Sequence, residues 1–269
     1  MIKKGKTEQQ SIANLAADLA VRAGKVLKQR LGETLYIEEK EGIGNIVTVA
    51  DKEAEESIVS GISSRYPDHN ILGEEGASIQ KNSPFLWSID SLDGTLPYSN
   101  GLPWFGVSIG ILEKDKPYAA AIFIPFGLTG EEELYTAIKG GGAYLNGNRI
   151  HVNDKEKLGD SIVGFDYAYT QREKRIREVL LRVASKVRGT ITLQWAVGPL
   201  CWVASGKFDG YIHQNMQHCD IAAASLVIQE AGGRVTDLLG NEIVYEQGKV
   251  FNYCATNGKI HDRLLSAVK

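Results

Sequence analysis

Two aspartates three positions apart, Asp90 and Asp93, close the largely apolar run Phe85 to Ile89, and Gly94 and Thr95 follow at once. Carboxylates held together at the end of a buried strand repel, and each raises the other's pKa. A cation between them removes that cost, so the pair reads as a site for a hard divalent metal bound through oxygen. Gly94 lets the backbone come close to a ligand. The Gly94 and Thr95 amides could then meet a phosphate, as unpaired amides at a helix start do. Three further acidic positions, Asp51, Glu74 and Asp220, stand at the ends of expected elements. Singly, each has an ordinary explanation. Asp51 and Asp220 precede helices, where an aspartate caps the first turn. Glu74-Glu75 suits a solvated turn, and Asp93-Gly94 an ordinary tight turn.

The elements that must position these groups are legible from periodicity. Ile12, Leu15, Ala16, Leu19, Ala23, Val26 and Leu27 recur at helical spacing, so a helix is expected from about Gln9 to Leu31, stopped by Gly32. A second helix, capped by Asp51, carries Ile58 and Ile62 on one face and ends at Tyr66-Pro67-Asp68. Strands are expected at Asn70–Leu72, up to Asp90, at Trp104–Leu112 and at Tyr118–Ile124, with a tight turn at Asn146-Gly147. Beyond Ile150 the expected elements are a strand at Ile162–Phe165, a charged helix at Arg172–Val187 and a strand at Phe208–Ile212. A helix at Ile221–Ala231, a strand at Val250–Ala255 and a closing helix at His261–Val268 follow. Strands and helices mix without strict alternation, which gives an α+β class of stacked layers. The expected division is 1–150, with most of the acidic candidates, and 151–269, with Asp220.

Composition narrows the function classes. The chain has 269 residues, 43% of them hydrophobic, enough for a substantial core. Thirty basic residues nearly balance 33 acidic ones, a net charge of −3, so neither nucleic acid nor an acidic membrane is an expected partner. No apolar run is long enough to span a bilayer, and the polar N-terminus lacks the apolar stretch of a signal peptide. Cys201, Cys219 and Cys254 are odd in number and scattered, which reads as buried reduced thiols in a cytoplasmic protein.

Taken together, the wording of the acidic segments decides between these explanations. G-E-E-G-A-S (Gly73–Ser78), I-D-S-L-D-G-T (Ile89–Thr95) with its tail G-L-P-W-F-G-V-S-I-G, and D-I-A-A-A-S-L-V-I-Q-E-A-G-G (Asp220–Gly233) closely resemble the inositol monophosphatase family. I-V-T-V-A-D (Ile46–Asp51) matches the segment before its second helix, and the resemblance covers nearly the whole chain. It implies a layered αβαβα sandwich, a homodimer, and a lithium-sensitive, Mg²⁺-dependent phosphomonoesterase of a small phosphorylated metabolite. It also implies that Glu74, Asp90 and the Leu92 carbonyl hold one Mg²⁺, that Asp90, Asp93 and Asp220 hold a second, and that a weaker third ion sits near Glu74. Thr95, hydrogen-bonded to Asp51, would orient and deprotonate the attacking water. The physical logic agrees: two metals cancel the charge of a phosphate dianion and stabilise both attacking and leaving oxygens.

Departures from the family bear on the leaving group. Asn45 and Ser91 stand where the family carries Asp and Pro, Pro97 where it carries Asn, and Cys219 where it carries Trp. Trp195 falls where small residues make room for substrate, and His213 where a glutamate accepts bonds from inositol hydroxyls. These imply a leaving group other than myo-inositol, with His213 and Trp195 as substrate contacts beside Gly94 and Thr95. The same chemistry also serves a fructose-1,6-bisphosphatase, a 3′(2′),5′-bisphosphate nucleotidase or a histidinol-phosphatase. A non-catalytic descendant that binds a phosphorylated ligand is the rival from another class. Three lesser readings are open. His213, His218 and Cys219 could hold a transition metal. Gly140-Gly141-Gly142 lacks the Lys-Ser/Thr of a phosphate loop and suits a tight hairpin. Trp195, Trp202 and Tyr211 suit a core better than a stacking platform.

Overall fold

The computed structural model describes residues 2–33, 37–39, 46–167, 171–245 and 248–269. In chain order the first half comprises α1 (Ile2–Arg30), β1 (Ile37–Glu39), β2 (Ile46–Thr48), α2 (Val49–Arg65), β3 (Asn70–Gly73), β4 (Ser78–Ile79), β5 (Phe85–Asp93), the short α3 (Thr95–Ser99), β6 (Gly106–Glu113), β7 (Lys116–Ile124), β8 (Glu133–Ile138), β9 (Gly142–Leu145) and β10 (Asn148–Arg149). The second half comprises β11 (Ile162–Tyr167), α4 (Arg172–Arg175), α5 (Leu181–Ala184), β12 (Gly189–Ile191), α6 (Val197–Ala204), β13 (Gly210–Met216), α7 (His218–Glu230), β14 (Arg234–Asp237), β15 (Phe251–Thr256) and α8 (His261–Val268). One sheet runs β10-β9-β8-β7-β6-β5-β3-β4, and a second runs β12-β11-β13-β15-β14.

Period-two alternation along the strands builds the layers. Ala119, Ala121 and Phe123 of β7 join Ile109 and Ile111 of β6 in packing on α1 and α2, through Ile12, Ala16, Ala20, Leu27, Ile58 and Ile62. The alternate residues Ala120, Ile122 and Ile124 face α6 and α7. Those two helices cover the second sheet on their far side, through Tyr211, Tyr253 and Ala255. The outer face of that sheet, Val163, Phe165, Ile212 and Cys254, is closed by Val179, Val183, Leu264 and Leu265. The result is the αβαβα sandwich that the resemblance implies. Gly110 of β6 lets α7 lie close, because a Cβ there would stand 2.8 Å from the Ala223 nitrogen.

Several local expectations are corrected. The first helix begins at Ile2 and ends at Arg30. Thr48, not Asp51, is the N-cap of α2, and Asp51 is the third helical residue of a reciprocal capping box. Asp220 likewise sits one turn inside α7, behind the N-cap Gln217. The expected helix at Arg172–Val187 is α4, a π-turn at Ile176–Leu180 and α5, ending at Ala184. Its terminus turns back through a bond from the Lys186 amide to the Val183 carbonyl. β8 was not expected, although Glu133, Tyr135 and Ala137 are buried in strict alternation. Gly140–Gly142 does form the tight turn between β8 and β9. Its Gly140 and Gly142 amides are satisfied by the Glu230 carboxylate at 2.8 and 2.9 Å, which leaves them no role on phosphate.

Candidate active site

Asp90 and Asp93 owe their juxtaposition to a bulge. Asp90 pairs with Ser108 and Asp93 with Gly106, so three steps on β5 oppose two on β6. The extra residue re-phases the strand and brings two side chains of odd spacing to one side. The parallel register of β3 with β5 sets Gly73 beside Ile89, and the Glu74 amide bonds to the Ile89 carbonyl at 3.1 Å. Glu74 therefore arrives at the level of Asp90. Asp220 comes from the first turn of α7, with the Gln217 amide donating to its Oδ2 at 2.7 Å. Glu74, Asp220 and Cys219 offer ligand atoms within 4.8 Å of one another.

Burial pushes the Asp90 carboxyl well above its usual range, and the neighbouring carboxylates of Glu74, Asp93 and Asp220 push it further. Asp93 is raised to about 7, first by burial and then by Asp220, against the lowering effect of the Ala196 and Val197 amides. Those amides donate to Asp93 Oδ2, that of Ala196 at 3.0 Å. Four like charges gathered around the buried Asp90, the other three half-buried, are costly without a counter-charge. An all-oxygen carboxylate set fits a hard divalent ion, with the Leu92 carbonyl close by.

Thr95 and Asp51 meet as the resemblance implies. The Thr95 hydroxyl lies 3.1 Å from Asp51 Oδ1 and 3.1 Å from the Leu92 carbonyl oxygen. Asp51 Oδ2 accepts from the Thr48 amide at 2.9 Å and from the Thr48 hydroxyl. Burial raises the Asp51 pKa, and its bonds to Thr48 and Thr95 pull against that rise. Ser91 donates to the Asp51 carbonyl at 2.9 Å, a link that a proline there could not make. Gly94 has φ +92, and a Cβ on it would stand 2.4 Å from the Trp104 carbonyl oxygen.

Trp195 is not an exposed contact. It is 1% exposed, packs edge-on against Trp202 at 5.5 Å and wedges between Gly94 and Gly198. Its indole nitrogen has no protein partner. His213 lies against Tyr211 at 6.3 Å, and burial, with a smaller contribution from Arg175, lowers its pKa to about 3. The alternative cluster of His213, His218 and Cys219 is not assembled. His218 Nδ1 is 2.7 Å from the Ser88 hydroxyl, and Cys219 faces the carboxylates. All three cysteines are free and buried, as expected. Asn45 lies outside the described residues.

Sequence reading missed two buried carboxylates that hold the backbone around the site. Glu55 on α2 accepts from the Glu75 amide at 2.9 Å and the Ala77 amide at 2.8 Å, holding the turn that presents Glu74. Its spacing of four from Asp51 on the same helix was the available signal. Asp166 on β11, a charge inside an apolar strand, accepts from the Leu193 and Gln194 amides at 3.1 and 2.8 Å and from the Tyr211 hydroxyl at 3.1 Å.

Among the described residues, no helix is long and apolar enough to cross a membrane. Residues 8–269 match the inositol monophosphatase family. A protein of Aquifex aeolicus described as fructose-1,6-bisphosphatase/inositol-1-monophosphatase is 36% identical over 256 residues, covering 93% of this chain and 92% of its own. The extragenic suppressor protein suhB of Bartonella henselae superposes with a TM-score of 0.88 at 31% identity, over 96% of this chain and 98% of that one. The inositol monophosphatase of Anabaena superposes with a TM-score of 0.83 at 31% identity, over 96% and 95% of the two chains. By sequence and by fold, the chain belongs to the inositol monophosphatase family of metal-dependent phosphatases, and it is a phosphoric monoester hydrolase acting on a small phosphorylated metabolite.

Proposed function

We propose that the chain is a Mg²⁺-dependent phosphomonoesterase that prepares its attacking water at Thr95 and Asp51. The observation that carries this reading is the convergence of half-buried Glu74, Asp93 and Asp220 on Asp90, which is 2% exposed and is pushed up first by burial and then by those three carboxylates. In the reading, Glu74, Asp90 and the Leu92 carbonyl hold one ion, and Asp90, Asp93 and Asp220 hold a second. A weaker third ion sits near Glu74. Ions bound there supply charge neutralisation for the phosphate dianion and make bound water more acidic. The residues do the rest. Asp51 Oδ1 takes the Thr95 hydroxyl proton, leaving the hydroxyl oxygen to orient and deprotonate water. The raised pKa of Asp51 makes it a stronger base than an exposed aspartate. Gly94 and Thr95 present backbone amides toward the phosphate.

The leaving group faces His213. His213 Nδ1 and Gln214 Oε1 are both buried without a protein partner, and Arg175 acts electrostatically on His213. That supports a polar leaving group bearing a further anionic group more than it supports myo-inositol. The protein is further read as a lithium-sensitive cytoplasmic homodimer. Its three buried thiols suit a reducing compartment, and the exposed Leu102 and Trp104 offer apolar surface to a second copy.

The test is phosphate release with and without Mg²⁺, with Li⁺ as a control, from inositol 1-phosphate, fructose 1,6-bisphosphate, 3′-phosphoadenosine 5′-phosphate and histidinol phosphate. Mg²⁺-dependent turnover of one member well above the others is expected. Folded protein that binds Mg²⁺ yet releases no phosphate from any of them would point to the non-catalytic alternative.

A further inference from the structure

The Asp93 carboxylate sits among like charges, so something must hold it in place before any ion arrives. Its Oδ2 is held by the amides of Ala196 and Val197, at the start of α6, more than a hundred residues along the chain. Those amides lie directly after a segment with an unusual backbone. Gln194 has φ +53, a left-handed conformation that strains a residue with a side chain. A strained turn persists only where its surroundings hold it.

Asp166 is what holds it. Its Oδ1 accepts from the Leu193 amide at 3.1 Å, the Gln194 amide at 2.8 Å and the Gln194 side-chain amide at 3.4 Å. Its Oδ2 accepts from the Tyr211 hydroxyl at 3.1 Å. Thr192 ties the same segment to β11 through the Phe165 carbonyl at 2.7 Å. Trp195, next in the chain, wedges against Gly94, and the two amides that follow reach Asp93. With Oδ2 committed to two amides, rotation of the Asp93 carboxylate is fixed, and with it the direction of Oδ1.

We propose that Asp166 is a positioning residue: by holding the left-handed turn at Gln194 it fixes the Ala196 and Val197 amides, which preset Asp93 for the divalent ion. The inference rests on the reading of Asp93 as an ion ligand. It predicts an effect on ion affinity that stability alone would not produce. Losing a group that holds a ligand costs ~10–100-fold in metal affinity.

The experiment compares wild type with Asp166→Asn and Tyr211→Phe. Mg²⁺ affinity is read by calorimetry, and amide hydrogen exchange is read at Ala196 and Val197. In metal-free wild type both amides are expected to be strongly protected. Asp166→Asn is expected to lose that protection and to weaken Mg²⁺ binding about 10-fold, with kcat at saturating Mg²⁺ within about 2-fold of wild type. Tyr211→Phe, which touches only Oδ2, is expected to lower stability without moving Mg²⁺ affinity. Unprotected amides in metal-free wild type would overturn the proposal without any variant having to fold. So would unchanged Mg²⁺ affinity in Asp166→Asn, or weakened affinity with protection retained, which would make the charge alone responsible. Wild type that binds Mg²⁺ but hydrolyses nothing sinks the hydrolase reading and leaves this one standing. Wild type that binds no Mg²⁺ sinks both.

Discussion

Asp90 is the residue on which the other carboxylates converge, and its replacement separates chemistry from folding most cleanly. Asn keeps its shape and removes its charge, which relieves repulsion from Glu74, Asp93 and Asp220. Asp90→Asn is therefore expected to leave the metal-free fold as stable as wild type or more so. Turnover should fall by more than the ~100-fold that loss of a merely supporting group costs. Thermal melts and phosphate release on the same sample check both halves, and retained activity at saturating Mg²⁺ would remove Asp90 from the ion site. Gly94 fails differently. Its φ of +92 and the Trp104 carbonyl at 2.4 Å from a Cβ leave no room for alanine. Gly94→Ala is expected to cost about 1–3 kcal/mol in urea unfolding and to displace Thr95 from Asp51. A substrate-binding loss with full stability would show that the glycine serves ligand approach alone.

At the scale of elements, the site is a meeting of β5, the turn after β3 and the first turn of α7. Small residues set how near the last of these can come. Gly110 of β6 lies against Ala222 and Ala223 of α7, with the Ala223 nitrogen 2.8 Å from any added Cβ. Gly110→Val must push α7 outward, and Asp220 moves with it. Overpacking of this kind costs ~1–3 kcal/mol. The expected signature is that loss together with a weaker Mg²⁺ activation curve, read by denaturation and by phosphate release. A stability loss with an unchanged Mg²⁺ midpoint would mean that α7 tilts about its N-terminus and keeps Asp220 in place. Ser88 and His218 clasp β5 to the start of α7 at 2.7 Å and share in that register.

Across the whole molecule, two conditions should move stability in opposite senses. A cation in the carboxylate cage binds the folded state alone. At 100 times its dissociation constant it should add about 2.7 kcal/mol. For a chain of this length that is a rise in Tm of roughly 5–10 °C over a chelator-treated sample. No shift would argue against a cage that binds Mg²⁺. Acid should act through buried histidines. His261 lies between the Thr236 and Thr256 hydroxyls at 2.9 Å each, and burial lowers its pKa from 6.5 to about 4. Below pH 6.5 the unfolded chain takes up a proton that the folded chain refuses until about pH 4. Stability is thus present above pH 6.5 and is lost as pH falls through that window. His261→Gln should flatten that part of a urea-unfolding profile by on the order of 2–3 kcal/mol, and an unchanged slope would assign the loss to other groups.

Legibility followed the range of the interactions. The helical face of Ile12, Ala16, Leu19, Ala23 and Leu27, the strand leading to Asp90, the turn at Asn146-Gly147 and the acidic positions at element ends are local patterns, and local patterns are written in neighbouring residues. The wording around Glu74, Asp90, Asp93 and Asp220 carried the family and, through it, the five-layer fold. The pairing of Thr95 with Asp51 was implied in the same way, and the structure bears it out. The capping roles assigned to Asp51 and Asp220 were off by three residues, because a capping box and an N-cap aspartate look alike until backbone angles are known. What only the tertiary structure decided depends on contacts between distant segments. The bulge that turns Asp90 and Asp93 to one side is a matter of strand pairing with β6. Glu55 acts on a turn twenty residues away, and Asp166 acts on Asp93 through a loop that comes close only when two sheets stack around α6. Trp195 shows the same limit. A bulky aromatic expected to face substrate is a buried wedge against Gly94 and Gly198, because burial is set by the packing of layers and not by residue type alone.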